Sequence, residues 1–119
     1  MANNIFGEPL LVCNKKPITG YFRDGCCNTD QSDLGLHTLC VIVTDEFLDF
    51  SKRLGNDLST PNPQFNFPGL ISGDKWCVCA LRWNEALKNN CAPQVLLECT
   101  HERALDLIEF NTLIKYACK

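Results

Sequence analysis

"LHTLCVIVT", residues 36–44, is the stretch on which the fold turns. It is nearly continuous in apolar residues and rich in β-branched ones, with no polar position every second residue. That pattern predicts a central strand buried on both faces rather than a half-exposed one. Immediately after it, "DEFLDFSKRLG" carries acids in its first turn, bases in its last and Gly55 where a helix would end. Phe47, Leu48, Phe50 and Leu54 recur at helical spacing, and Thr44 is the expected N-cap.

Downstream, residues 56–70, "NDLSTPNPQFNFPGL", hold Pro61, Pro63 and Pro68 together with Phe65 and Phe67. A connection of that length reads as a lid, a binding loop or an Ω-loop, with the two phenylalanines pinning it to the core. "SGD" makes a turn, and "KWCVCALRW", residues 75–83, is a second expected strand. A short helix follows from Asn84, "PQVLLECT" at 93–100 reads as a third strand and "ALDLIEF" as a fourth. Asn111 is the expected cap of a last helix running to Lys119. Upstream, residues 1–32 lack periodicity and read as loops with one short strand near "PLLVC". The expected architecture is α+β: a single compact domain over residues 1–119, a mixed β-sheet, short helices, and long irregular N-terminal and central loops.

The bulk composition excludes several functions. At 119 residues the chain is long enough for one buried core, and 45% hydrophobic with 21% charged residues is ordinary for a globular protein. Fourteen acids against eleven bases give a net charge of −3, and no block of lysine and arginine occurs. Nucleic acid and anionic membrane both require a concentrated cationic face, so neither is expected as a partner. No apolar run reaches the length of a membrane span, and "MANNIFGEPLLVC" lacks the basic start and long apolar centre of a signal peptide. A cytoplasmic protein is expected. The nine cysteines (13, 26, 27, 40, 77, 79, 91, 99, 118) are odd in number and follow no repeating framework. In a reducing cytosol most should be free thiols.

Three chemistries are open to cysteine and histidine in this pattern. Zinc sites usually draw ligands from close pairs such as CxxC, absent here. Cys77 and Cys79 would face the same way on a strand and sit side by side, whereas Cys26 and Cys27 would point apart, as would His37 and Cys40. A thiol nucleophile needs a nearby histidine. Cys26 and Cys27, after Arg23 in a loop with open backbone N–H groups, are the expected nucleophile pair, with His37 or His101 as base. A disulfide between Cys26 and Cys27 would be strained, so redox exchange could only be a switch. Arg82 and Trp83 end the second expected strand and His101 ends the third, positions where mixed sheets meet ligands.

Several segments together resemble a known family. "TGYFRDGCCNT", "GLHTLCVIVTDEFLDFSK", "GNDLSTP", "FPGL", "GDKWCVCALRW" and "LLECTHE" are similar, in that order, to the bacterial family catalogued as domain of unknown function 2237. The resemblance runs from about Gly7 to Ala117. It places Cys26, Cys27, Cys40, Cys77 and Cys79 inside the family pattern and Cys13, Cys91, Cys99 and Cys118 outside it. It implies no substrate, cofactor or mechanism.

The combined expectation is a pocket walled by Arg23, Asp24, Cys26, Cys27, His37, Cys79, Arg82, Trp83 and His101, covered by the 56–70 loop. The expected function is binding of an unidentified small molecule or protein. The rival readings are a cysteine-dependent hydrolase or transferase using the Cys26/Cys27 pair, and a zinc-stabilised interaction domain. No cofactor and no permanently bound metal are expected, and homo-oligomerisation is left open.

Overall fold

β1 spans Leu39–Ile42, and Leu39, Cys40 and Val41 have no solvent exposure at all. The computed structural model describes residues 2–118, and Met1 and Lys119, where the last helix was expected to end, lie outside them. β2, Lys75–Val78, pairs antiparallel with β1 in the register Leu39 to Val78, Cys40 to Cys77, Val41 to Trp76 and Ile42 to Lys75. On the other flank of β1 the backbone of 94–96 runs alongside. Ile42 N–H donates to the Gln94 carbonyl at 3.0 Å and Leu96 N–H to that of Cys40 at 2.7 Å. β1 is therefore flanked along both edges, and its consecutive side chains Leu39, Cys40 and Val41 are buried on both faces, which explains its continuous apolar reading.

The fold is α+β, with a two-stranded antiparallel sheet where a larger mixed one was expected. The parallel pairing of that expectation survives as one isolated bridge between Val95 and Ala117, and Val95 also bridges Val41. The third expected strand collapses because Leu97–Cys99 winds into a 3₁₀ turn, and the fourth because Glu102–Asp106 does the same. No strand forms at "PLLVC"; Pro9 makes a single bridge to Asn3.

α1, Asp45–Arg53, begins at Thr44, whose hydroxyl oxygen accepts the Phe47 N–H at 3.1 Å. Losing such a cap costs about 1 kcal/mol. Phe47, Leu48 and Phe50 face the core, and Gly55 takes the left-handed φ of 93° that ends the helix cheaply. α2 spans Ala80–Lys88, four residues earlier than expected. The apolar run "KWCVCALRW" thus divides: strand to Val78, helix from Ala80. Ala80 N–H donates to the carbonyls of Gly35 and Leu36, turning the chain out of the ladder after one more residue. Trp83, one turn in, is completely buried; its indole N–H donates to the Pro93 carbonyl at 3.1 Å and its ring meets Tyr116 edge-on. Truncating it to alanine would cost about 3–5 kcal/mol. α3, Phe110–Lys115, closes the core with Leu113.

In the 56–70 loop the two phenylalanines behave differently. Phe67 packs on Trp76 with ring centroids 5.3 Å apart, while Phe65 is 71% exposed. Asp57 organises the start of the loop by accepting the N–H groups of Ser59 and Thr60 and the Thr60 hydroxyl, contacts that hold its carboxyl below the usual range.

Candidate functional site

An open cleft of about 490 Å³ lies where the N-terminal loops, the start of α2 and the 56–70 loop meet. Tyr21, Arg23, His37, Leu58, Cys79 and Arg82 line it, together with Gly20, Asn56 and the Trp76–Cys77–Val78 end of β2. Arg23 in its lining, and the buried Leu36 that precedes His37, both adopt a left-handed φ of 55°, which side chains with a Cβ avoid. Residues held so tend to cluster where a surface is shaped for a ligand.

A buried Asp33 and a partly exposed His37 form a pair at one edge. The Asp33 side chain is 1% exposed and that of His37 42%. One carboxylate oxygen contacts His37 Nδ1 at 2.7 Å; the other accepts the His37 backbone N–H at 2.8 Å and the Thr29 hydroxyl at 3.0 Å. Both oxygens act as acceptors, so in the neutral ring the proton sits at Nδ1 and the lone pair at Nε2. Tyr21 stacks on the imidazole at 5.9 Å, and its hydroxyl bonds Ser32.

Cys79 occupies the N-cap position of α2 and its thiol donates to the Gly35 carbonyl at 2.8 Å. Gly35 separates thiol from imidazole: a Cβ on it would lie 2.7 Å from Cys79 Sγ and 3.6 Å from His37 Cε1. Arg23 lays its guanidinium over the Trp76 ring at 5.2 Å, whereas Arg82 is tied to the Leu54 carbonyl at 3.3 Å and the Glu85 carboxylate at 3.2 Å.

Of the nine residues expected to wall a pocket, the cleft gathers Arg23, His37, Cys79 and Arg82. Trp83 lies in the core. His101 is 7% exposed, with Nδ1 accepting the Arg103 N–H at 3.0 Å, and its burial pushes it towards the neutral form. Asp24 turns back to accept the Cys26 N–H at 3.0 Å. Cys26 keeps its thiol outside the cleft lining, and burial, reinforced by Asp24 against Lys15, raises its pKa. Cys27 is completely buried and bonded to Cys77. That removes Cys27 from nucleophilic chemistry in this state and parts Cys77 from the side-by-side role with Cys79.

The expectation of mainly free thiols meets a second disulfide, Cys13 to Cys40. The sulfurs of Cys13, Cys27 and Cys77 all lie within 4.8 Å of one another. The register explains the cluster. Cys40 and Cys77 are directly opposed, and their N–H groups point away from each other to the buried hydroxyls of Thr100 and Thr19. Opposed residues project to one face of a ladder, where the N-terminal loop lays Cys13 and Cys27 over them. Gly20 permits that approach: a Cβ there would run into the Cys26 carbonyl. Cys26, Cys79, Cys91 and Cys99 remain free thiols, and burial raises those of Cys91 and Cys99.

Asp33, Tyr21 and Leu58 were not singled out from the sequence. Asp33 carried a usable signal, a carboxylate four residues before His37 in a glycine-containing turn; Tyr21 and Leu58 carried none.

The chain belongs to the DUF2237 family, described as an uncharacterised protein conserved in bacteria, whose profile matches residues 3–117. No curated protein matches it. Among the described residues no helix is long and apolar enough to cross a membrane.

Proposed function

We propose that this chain is a binding module for a small anionic molecule held in the cleft of Arg23, His37, Cys79 and Arg82. The observation that supports it is the meeting of two guanidinium groups and an imidazole in one concavity of about 490 Å³, a size suited to a small ligand. Arg82 already has partners, so Arg23 supplies the uncommitted charge, and Tyr21, Leu58 and Trp76 the apolar walls. The concavity favours a small molecule over a protein surface. The setting we propose is the cytoplasm, where the free thiols of Cys26 and Cys79 persist; the redox state of Cys27 in cells decides it.

The test is thermal stabilisation by a panel of small carboxylates and phosphates. At least one should raise the melting temperature, and Arg23→Gln should weaken that ligand about tenfold, the worth of one charge-assisted hydrogen bond. A panel without effect on the wild type, or equal binding by the variant, sinks the reading.

A second reading, a zinc-stabilised domain, rests on the converging sulfurs of Cys13, Cys27 and Cys77, with Cys40 joined to Cys13. In a reducing compartment three of these would be thiols converging on one point with Cys40 beside Cys13, a donor set that suits zinc. Elemental analysis of chain purified under reduction tests it, and less than about a tenth of an equivalent of metal rules it out.

A further inference from the structure

The N-terminus of α2 enters the cleft beside the Asp33 and His37 pair, and three observations there point to one chemistry. First, the neutral His37 ring is held as the Nδ1–H tautomer, with the lone pair on Nε2, because Nδ1 contacts a carboxylate that is itself buried and accepts two further hydrogen bonds. A neutral imidazole fixed in that tautomer is the form that accepts a proton from a nucleophile. Second, Cys79 is the free thiol that lines the same cleft, and a Cβ on Gly35 would stand 2.7 Å from its Sγ and 3.6 Å from His37 Cε1. Third, the first-turn N–H groups of Leu81 and Arg82 have no acceptor among the described residues, whereas those of Ala80 and Trp83 are bonded to Gly35 and Leu36 and to Cys79. Two open donors at a helix start next to the thiol are placed to receive negative charge developing on a substrate oxygen.

We propose that Cys79 is an acyl-accepting nucleophile, with His37 as its base, Asp33 as the positioning residue of that base, and a small anionic acyl ester or thioester as substrate. This rests on the anion-binding reading, since Arg23 would hold the substrate's charged end. In the resting structure the thiol donates to Gly35, so the step begins by turning Sγ from that carbonyl toward His37 Nε2. Nε2 takes the thiol proton as sulfur attacks the carbonyl carbon. The C–S bond forms, and the carbonyl π pair moves onto oxygen facing the Leu81 and Arg82 N–H groups. When that pair returns, the bond to the leaving alkoxide or thiolate breaks, and the leaving group takes the proton from His37. The product is a Cys79 thioester. Water, deprotonated by the same Nε2, then attacks it, releasing the free acid and restoring the thiol.

The probes are the para-nitrophenyl esters of hydrogen succinate, which is anionic, and of acetate, which is neutral. Mass spectrometry of the intact chain and of its peptides locates the adduct. The expected result is acylation at Cys79 ahead of Cys26, with the succinyl ester preferred. His37→Gln should slow it about a hundredfold. Arg23→Gln should narrow the preference for the anionic ester about tenfold. Imidazole nitrogen chemical shifts should report the Nδ1–H tautomer of His37 in the wild type and its loss in Asp33→Asn, a readout that a merely structural aspartate would not move. Acylation of Cys26 at or above the rate of Cys79 in the folded wild type overturns the proposal without any variant, as does an unchanged rate in His37→Gln. Succinate itself separates the two readings. Stabilisation by succinate without acylation removes the nucleophile and leaves the binding module. Neither effect removes both.

Discussion

Cys77 and Cys79 stand two positions apart and both border the cleft, yet their surroundings assign them opposite work. Cys77 is the last thiol inside the ladder, opposed to Cys40, with its N–H held by Thr19 and its sulfur bonded to Cys27. Cys79 stands just past the final rung, free, at the cap of α2. Period-two alternation places both on one face. What distinguishes them is the loop that arrives at each: residues 13–27 at Cys77, residues 33–37 at Cys79. The difference separates a part of the molecule held by covalent closure from one held by hydrogen bonds alone.

The largest effect should fall on the closed side. Cys77→Ala opens a disulfide spanning 50 residues of sequence and should lower unfolding free energy by about 2–5 kcal/mol under non-reducing conditions. Cys79→Ala should cost less than about 1 kcal/mol, because it removes one partly exposed sulfur and one hydrogen bond. Denaturant titrations of the two variants side by side check the contrast. Equal losses would mean that the sulfur cluster and the cleft are one mechanical unit.

Gly35→Ala comes next and sharpens the cleft side. Its Cβ would stand 2.7 Å from Cys79 Sγ, so the thiol must move. Displacing it to a poorer rotamer should cost about 0.5–1.5 kcal/mol. The change should alter the alkylation rate of Cys79 by iodoacetamide while leaving Cys26 as it was, which peptide mapping of the labelled chain reads directly. An unchanged Cys79 rate would show that the thiol is not confined by Gly35.

These contrasts also show why sequence reaches the ladder more easily than the cleft. β1 and α1 carry their own signals, a long β-branched run and a capped amphipathic repeat, so both are readable locally. "KWCVCALRW" carries two structures in one apolar run, and no periodicity of that length marks the boundary at Cys79. "PQVLLECT" looks like a strand because Val95 and Leu97 are buried, but single bridges and a 3₁₀ turn satisfy its backbone instead. Within the cleft, Arg23, His37, Cys79 and Arg82 were visible by residue type. Cys27, Trp83 and His101 were equally visible by type and lie elsewhere, because burial and pairing depend on contacts from other segments: Cys77 for Cys27, Pro93 and Tyr116 for Trp83, and Thr38 for His101. Asp33 was legible only as a spacing to His37, and its burial had no sequence signature.

The smallest effect concerns the other histidine and runs opposite in tautomer to His37. His101 Nδ1 accepts the Arg103 N–H and so carries a lone pair, leaving the ring proton on Nε2. Protonating Nδ1 would remove that acceptor from the start of the 3₁₀ turn at Glu102–Asp106. Burial lowers the His101 pKa from 6.5, with Arg103 adding to the shift and Glu102 and Asp106 opposing it. The sign follows from proton counts. Below about pH 6.5 the unfolded chain binds a proton at this position before the native chain does, so stability falls as pH drops through that window and levels off below the native pKa. Asp30 and Asp57, whose side-chain hydrogen bonds lower their pKa from 3.8, stay charged there and contribute only in stronger acid. His101→Asn keeps an acceptor for Arg103 and removes the titration, so its urea midpoint should change less than that of the wild type between about pH 7.5 and about pH 5.5. Identical slopes for the two chains would mean that the native state accommodates the charged ring, and that the Arg103 contact is not what holds this turn.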